Sequence, residues 1–200
     1  MDMIKSLWIM LLSVSTALFV LPAHCSALSD ALNDGQHVLM IRHADAPGFS
    51  DPPELKIGDC STQRNLGELG RKQAQALGVW LKQQGIVSAD VLSSPWCRCV
   101  DTATLLAKGP VTVAPALGSF FRNMSDSESQ TVALRTLLAQ RIKSTANTTK
   151  PHKPLILVTH QVNISAYAGE AVGQGGAMLV KVDARGHYVS HQVIPTPTFK

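Results

Sequence analysis

The chain has 200 residues, of which 45% are hydrophobic, and a formal net charge of +4. Such a composition can bury a core and excludes an intrinsically disordered chain, and the length suits one ordinary domain. No run of Lys and Arg reaches four residues, which excludes a nucleic-acid partner as the first expectation; the mild positive balance favours a small anionic substrate.

The first residues read as a targeting segment. A polar start containing Lys5 precedes an almost unbroken apolar run from Leu7 to Leu21, and Pro22-Ala23-His24-Cys25-Ser26-Ala27 supplies the small residues that a signal peptidase accepts. The run is shorter than the roughly 20 apolar residues that span a bilayer. A cleaved secretory signal over residues 1–27 is therefore expected, with cleavage after Cys25 or after Ala27. It leaves a domain of residues 28–200 without a stable membrane span, periplasmic or secreted.

Strand-like and helix-like segments then alternate, the pattern of an α/β domain. His37 to Arg42 reads as a strand apolar enough to be covered on both faces, followed by a loop over Gly48 to Ser61 with Asp51-Pro52-Pro53. The spacing of Leu66, Leu69, Ala74, Leu77, Trp80 and Leu81 predicts a helix over 65–85, closed by Gly85. Asp90 to Ser93 is a short strand, and Pro95 sits where a helix running from Trp96 to Lys108 would start. Val111 to Val113 is a further strand, and Ser127 to Thr145 a further helix, before a polar loop from Lys143 to Lys153. Leu155 to Thr159 is a buried strand, Val162 to Ala171 a short helix, and Met178 to Val182 with Tyr188 to Ile194 a closing pair of strands around Ala184-Arg185-Gly186.

After the leader, Cys60, Cys97 and Cys99 remain. In an oxidising compartment Cys60 can pair with Cys97 or with Cys99; a metal site is the weaker reading, because no second ligand pair follows at zinc-finger spacing.

Three strand ends carry residues with chemistry. Arg42-His43 follows the first, Ser93-Ser94-Pro95-Trp96-Cys97-Arg98 the second, and Thr159-His160 the late one. Each alone is unremarkable. Brought together at the carboxyl ends of an open sheet, where ligands bind in such folds, two guanidinium groups and two imidazoles suit a tetrahedral dianion, with a helix N-terminus at Pro95 adding to the attraction.

On these residues the chain resembles the histidine phosphatase superfamily, phosphoglycerate mutase-like, in its exported bacterial branch. Arg42-His43-Ala44 stands in place of the family's Arg-His-Gly. Asn65-Leu66-Gly67-Glu68-Leu69-Gly70-Arg71-Lys72-Gln73-Ala74 matches its Leu-Thr-x-x-Gly-x-x-Gln-Ala helix, and Ser93-Ser94-Pro95-x-x-Arg98 with Thr102-Ala103 and Val158-Thr159-His160 completes the set. The resemblance implies a single α/β domain with a central, mostly parallel sheet flanked by helices on both faces, and a phosphatase that needs no cofactor or metal. His43 would attack phosphorus and form a phosphohistidine, while Arg42, Arg98 and His160 hold the phosphoryl oxygens. His43 must then be neutral and His160 is best protonated, which requires the two imidazoles to lie on opposite sides of about 6.5.

The match departs from the family at the leaving-group acid. The region Leu117 to Arg122 offers no carboxylate where the family places one. Asp45 and Glu128 are the candidate acids, or the loop from Asp51 to Asp59 supplies one. A phosphoramidate, whose leaving group departs easily, would need none. The expected function is hydrolysis of phosphomonoesters or phosphoramidates, with a cell-envelope phosphosugar as the implied substrate. The alternative is a phosphate- or phosphosugar-binding protein with weak or no turnover. A mutase is not expected, because the chain lacks the insertions that enclose a bisphosphoglycerate.

Overall fold

The alternation of side chains along one strand sets the layering. In the computed structural model, which describes residues 26–146 and 152–197, His37–Arg42 forms strand β1, with Leu39 and Ile41 entering one apolar cluster and Val38 and Met40 the other. The first cluster takes Leu28 and Leu32 from helix α1 (Ala27–Leu32), Leu77 and Leu81 from α2 (Glu68–Gln83) and Ala103 from α3 (Cys97–Leu105). The second takes Leu134 and Leu138 from α4 (Ser127–Ala146) and Ile164 and Tyr167 from α5 (Gln161–Ala168). Helices thus cover both faces of the sheet, as the resemblance implies.

Among the described residues the sheet has six strands in the order β3-β2-β4-β1-β5-β6, with β2 at Asp90–Ser93, β3 at Val111–Val113, β4 at Leu155–Thr159, β5 at Ala177–Val182 and β6 at Tyr188–Ile194. Strands β3, β2, β4 and β1 run parallel, and β5 and β6 add an antiparallel edge. This is a single α/β domain with a mostly parallel sheet. Because β2, β4 and β1 are neighbours, their carboxyl ends meet: Arg42 registers with Thr159 and Ser93 with Val158. The ladder continues past the strand ends, where His43 N–H donates to the Thr159 carbonyl (3.0 Å) and Ser94 N–H to that of Val158 (2.9 Å).

Several boundaries differ from the expected ones for physical reasons. The helix expected over 65–85 begins at Glu68 because the preceding residues are used for docking. Gly67 N–H donates to the Asp45 carbonyl (3.2 Å), and Asn65 Nδ2 to that of Cys60 (2.6 Å). One turn on, a Cβ at Gly70 would lie 1.9 Å from the Asp45 carbonyl oxygen, so the glycine lets the helix rest on the backbone just past His43. Helix α3 opens at Cys97 with Trp96 at its N-cap, and Leu105 closes it ahead of Ala107, which is left-handed (φ 51°). Helix α5 ends at Ala168 because Gly169 is left-handed (φ 79°).

Helix α1 is a surprise, since Ala27 reads as the tail of the leader. Ser26 caps it: its hydroxyl accepts from Ser29 N–H (3.3 Å) and donates to the Gln84 carbonyl (2.6 Å). The expected boundary between residues 27 and 28 falls inside this helix. The apolar run of the leader, and residues 147–151 of the expected polar loop, lie outside the described residues; α4 takes up that loop's first residues. Among the described residues no helix is long and apolar enough to cross a membrane. Of the two pairings open to Cys60, the structure contains Cys60–Cys97, and Cys99 is a buried thiol.

Candidate active site

The three strand ends deliver their side chains to one cavity of about 410 Å³, lined by Arg42, His43, Arg98 and His160 together with residues from two loops. All four candidates for phosphate chemistry are therefore brought together. His43, Arg98 and His160 are only 2–3% exposed, and the two imidazoles meet edge to face with ring centroids 5.5 Å apart.

Backbone contacts fix His43. Its Nδ1 lies 2.8 Å from the Ala44 carbonyl. A carbonyl only accepts, so Nδ1 carries the proton and Nε2 keeps a lone pair. Ala44 N–H donates in turn to Thr102 Oγ1 (3.0 Å), and that hydroxyl donates to the Arg98 carbonyl (2.7 Å), tying the end of β1 to the first turn of α3. Gly175 N–H donates to the carbonyls of Arg42 and His43 (3.2 and 3.0 Å) from the other side.

His160 is held by Ser94, whose hydroxyl lies 2.7 Å from Nε2, while its Nδ1 faces Arg98 Nη2 at 3.5 Å. An arginine can only donate, so in this arrangement Nδ1 is unprotonated and Nε2 donates to Ser94. Both histidines are pushed to the neutral side. Burial, with the charges of Arg98, Arg64 and Arg42, brings His43 down to about 3 against the opposing bond to Ala44. Burial, followed by Arg98 and His43, holds His160 well below its ordinary value. The expectation of imidazoles on opposite sides of about 6.5 is thus corrected: both are depressed, because both are buried and guanidinium groups surround them. A phosphoryl dianion would act in the opposite sense on the pair.

Two more residues matter here: Arg64, which the sequence did not single out, and Asp51, offered only as the first residue of a loop that could supply an acid. Arg64 lines the cavity, with its Nη1 donating to the carbonyls of Ala46 and Gly48. It sits one residue before the Asn65 to Ala74 motif, and a cation between Gln63 and an apolar helix start was the available signal. Asp51 also lines the cavity, and its carboxylate takes both terminal nitrogens of Arg98. The Nε groups of Arg42, Arg64 and Arg98 are buried and have no protein acceptor. Unpaired charged donors are costly to bury, and three around one cavity match an anion with several acceptor oxygens.

The candidate acids fare differently. Neither Asp45 nor Glu128 lines the cavity. Asp45 sits behind the site, its N–H donating to Gln73 Oε1 (2.9 Å) and its carbonyl under Gly70. The Glu128 side chain is 80% exposed and lies 3.8 Å from Arg135. The carboxylates on the cavity wall are Asp51 and, from the 3-10 turn Met124–Asp126, Asp126. Aromatic rings also line the cavity: Phe49 and Phe121 meet edge to face at 5.5 Å, and Trp96 packs edge to face on His160 at 5.2 Å. Among the described residues no group of three or more His, Cys, Asp or Glu is arranged to hold a metal ion.

An α/β domain that presents arginines and paired histidines at the ends of its parallel strands is built to hold a phosphoryl group, and that is the class this fold and site define. Residues 38–121, which include Arg42, His43 and Arg98 but not His160, match the model of the histidine phosphatase superfamily (branch 1). Among curated proteins no sequence matches significantly. Among solved structures the chain is similar to mycobacterial hydrolase 1 (18% identity, 79% of this chain and 96% of that one, TM-score 0.57). It is similar to mycobacterial glucosyl-3-phosphoglycerate phosphatase Rv2419c in complex with VO3 (17% identity, 82% and 100%, TM-score 0.57). The protein histidine phosphatase SixA complexed with tungstate gives 18% identity over 78% and 96%, with a TM-score of 0.50. At these identities the likeness is one of fold.

Proposed function

We propose that the protein is an exported phosphatase that hydrolyses phosphomonoesters or phosphoramidates through a phosphohistidine on His43. The observation that carries this reading is the His43 tautomer: with Nδ1–H committed to Ala44, the Nε2 lone pair is left to act as a nucleophile beside Arg42, Arg98 and His160. In the first step Nε2 bonds to phosphorus as the bond to the leaving oxygen or nitrogen breaks. In the second, water bonds to phosphorus, the N–P bond breaks, and phosphate and a proton depart. Arg42, Arg98 and Arg64 stabilise the charge on the phosphoryl oxygens, and the N-terminus of α3 adds its N–H dipoles.

A leaving group with room to spare fits the cavity, whose volume lies within the roughly 300–1,000 Å³ of small-molecule sites. Its aromatic wall and the polar side chains of Asn123 and Asp126 suit a phosphosugar, with a cell-envelope phosphosugar as the specific proposal. The structural relatives include a phosphatase of a glycosylated phosphate ester, and two of the related structures contain VO3 or tungstate. Asp126 or water returns the proton to the leaving group. The leader-like residues 1–25 support export to the periplasm or beyond, and cleavage after Cys25 would keep the Ser26 cap of α1.

Asp45 and Glu128 both lie off the cavity, which also favours a second reading, a binding protein with little turnover. Purified mature protein assayed against a panel of phosphorylated sugars, aryl phosphates and a phosphoramidate, with His43→Ala as control, separates the two. The phosphatase reading expects release of inorganic phosphate that the variant abolishes. Equal release by both proteins, or binding without release, contradicts it.

A further inference from the structure

The Asp51 side chain is a carboxylate buried inside a pocket built for anions, which calls for an explanation. The side chains of Asp51 and Arg98 are 7% and 4% exposed and form a two-pronged pair, Nη1 to Oδ1 at 2.7 Å and Nη2 to Oδ2 at 3.1 Å. Asp51 Oδ1 also accepts from Arg64 N–H (3.0 Å). The segment that carries Asp51 is itself held in place. Arg122 donates to the carbonyls of Pro52 and Pro53 (3.2 and 3.1 Å), the Cys60–Cys97 disulfide joins its far end to the first residue of α3, and Gln63 Oε1 accepts from Cys97 N–H (2.9 Å).

A guanidinium has five N–H donors in a fixed plane. In Arg98, Nη1 serves Asp51 and the Arg64 carbonyl (3.3 Å), Nη2 serves Asp51 and faces His160, and Nε has no protein acceptor. Asp51 therefore occupies the end of the guanidinium and fixes its plane. What remains for a phosphoryl oxygen is the side of the group that includes Nε.

Resting on the phosphatase reading above, we propose that Asp51 is a positioning residue for phosphoryl transfer, gripping the end of Arg98 so that its remaining Nε–H donor is aimed at the phosphoryl group carried by His43. Two other roles meet objections. As leaving-group acid, Asp51 would need a proton. Burial would raise its carboxyl, but the bonds from Arg98 and Arg64 with their charges outweigh it and hold the group below the usual range, so it is ionised at neutral pH. As a competitor that phosphate must displace, it would have to leave a site where Arg64 N–H and Arg98 both bind it.

The test compares Asp51→Asn and Asp51→Ala with the wild type on p-nitrophenyl phosphate and on phenyl phosphate, reading kcat and KM separately. Misaiming a transition-state donor costs on the order of 100-fold. The expectation is therefore a kcat lowered about 100-fold in Asp51→Ala, less in Asp51→Asn, which retains one acceptor for Arg98, with KM within about 3-fold and the same factor on both substrates. Higher kcat/KM in the variants would show a competitor and overturn the proposal. A loss confined to phenyl phosphate, the poorer leaving group, would show an acid and overturn it equally. So would unchanged kcat in both variants. Asp51→Asn is isosteric, so it keeps the test decisive if Asp51→Ala does not fold. A wild type that releases no phosphate from either ester would refute the parent reading instead, a result separate from any difference between variants.

Discussion

The floor and the outer wall of the cavity are built on opposite terms. The floor consists of strand ends: His43, Ser94, Arg98, Thr159 and His160 are almost fully buried and joined by ladder hydrogen bonds and by Thr102. The wall consists of the loop after β1 and the segment from Ser119 to Asp126. There Phe49 is 84% exposed and Phe121 44% exposed, and a disulfide with Arg64, Arg98 and Arg122 supplies the anchors. A rigid floor fits a reaction that is the same for every substrate, because transition-state donors must not reorganise. An exposed wall fits the part of the substrate that differs between relatives. Changes to the floor should therefore collapse turnover, and changes to the wall should move stability and affinity, except at Asp51, the wall residue that grips the floor's Arg98.

The largest effect falls on the floor. Arg98→Ala should lower kcat by about 10²–10³-fold, the usual cost of one transition-state donor, measured at saturation on p-nitrophenyl phosphate; a change confined to KM would break the division. In the wall, replacing Cys60 and Cys97 with Ser should cost about 3–4 kcal/mol of stability, from a cross-link between residues 37 apart in the sequence. That corresponds to a melting temperature roughly 10 °C lower. An unchanged melting temperature under oxidising conditions would show that the wall does not depend on this bridge.

Acid should loosen the floor. The folded-state value of His43 is lowered to about 3 from 6.5, so the unfolded chain takes up the proton first. The stabilising contribution is complete above about pH 6.5 and is lost as the pH falls through 6.5 toward 3. By pH 5 the loss is on the order of 2 kcal/mol for this one group, and His160 acts in the same direction. Thermal melts at pH 7.5 and pH 5 should show a smaller drop for His43→Asn than for the wild type; equal drops would contradict the burial of a neutral imidazole. The smallest effect belongs to the aromatic rim. Phe121→Ala should raise KM for a bulky phosphosugar about 2- to 10-fold, the worth of one aromatic contact, and leave the inhibition constant of inorganic phosphate unchanged.

The same division governs what the sequence reveals. Strand ends are legible through their joint occurrence: Arg42-His43, Ser93 to Arg98 and Thr159-His160 are each unremarkable alone, and together, in this order with helices between, they point to one phosphate site. Helix interiors are equally legible from the spacing of residues such as Leu77 and Leu81. The beginning of α2 is not, because Asn65 and Gly67 spend their hydrogen bonds on the loop after β1, a contact between segments some 20 residues apart that no local pattern encodes. Helix α1 is hidden because Ala and Ser satisfy a signal peptidase and a helix start alike. Arg64, and the pairing of Asp51 with Arg98, escape notice for a related reason. Their roles depend on a loop folding back over the strand ends, and an Asp before two prolines reads locally as a turn. Asp45 and Glu128 show the converse error: proximity in sequence to a site residue or to a helix start does not place a carboxylate in the cavity.

The most direct test is to catch the phosphoryl group on the enzyme. Purified protein mixed with a ³²P-labelled phosphoryl donor and quenched in alkali within its first turnovers should carry label that is stable to base, lost in acid, and confined to the peptide containing His43. Label that persists in His43→Ala, or turnover of wild-type protein with no label trapped under any quench, would contradict the account.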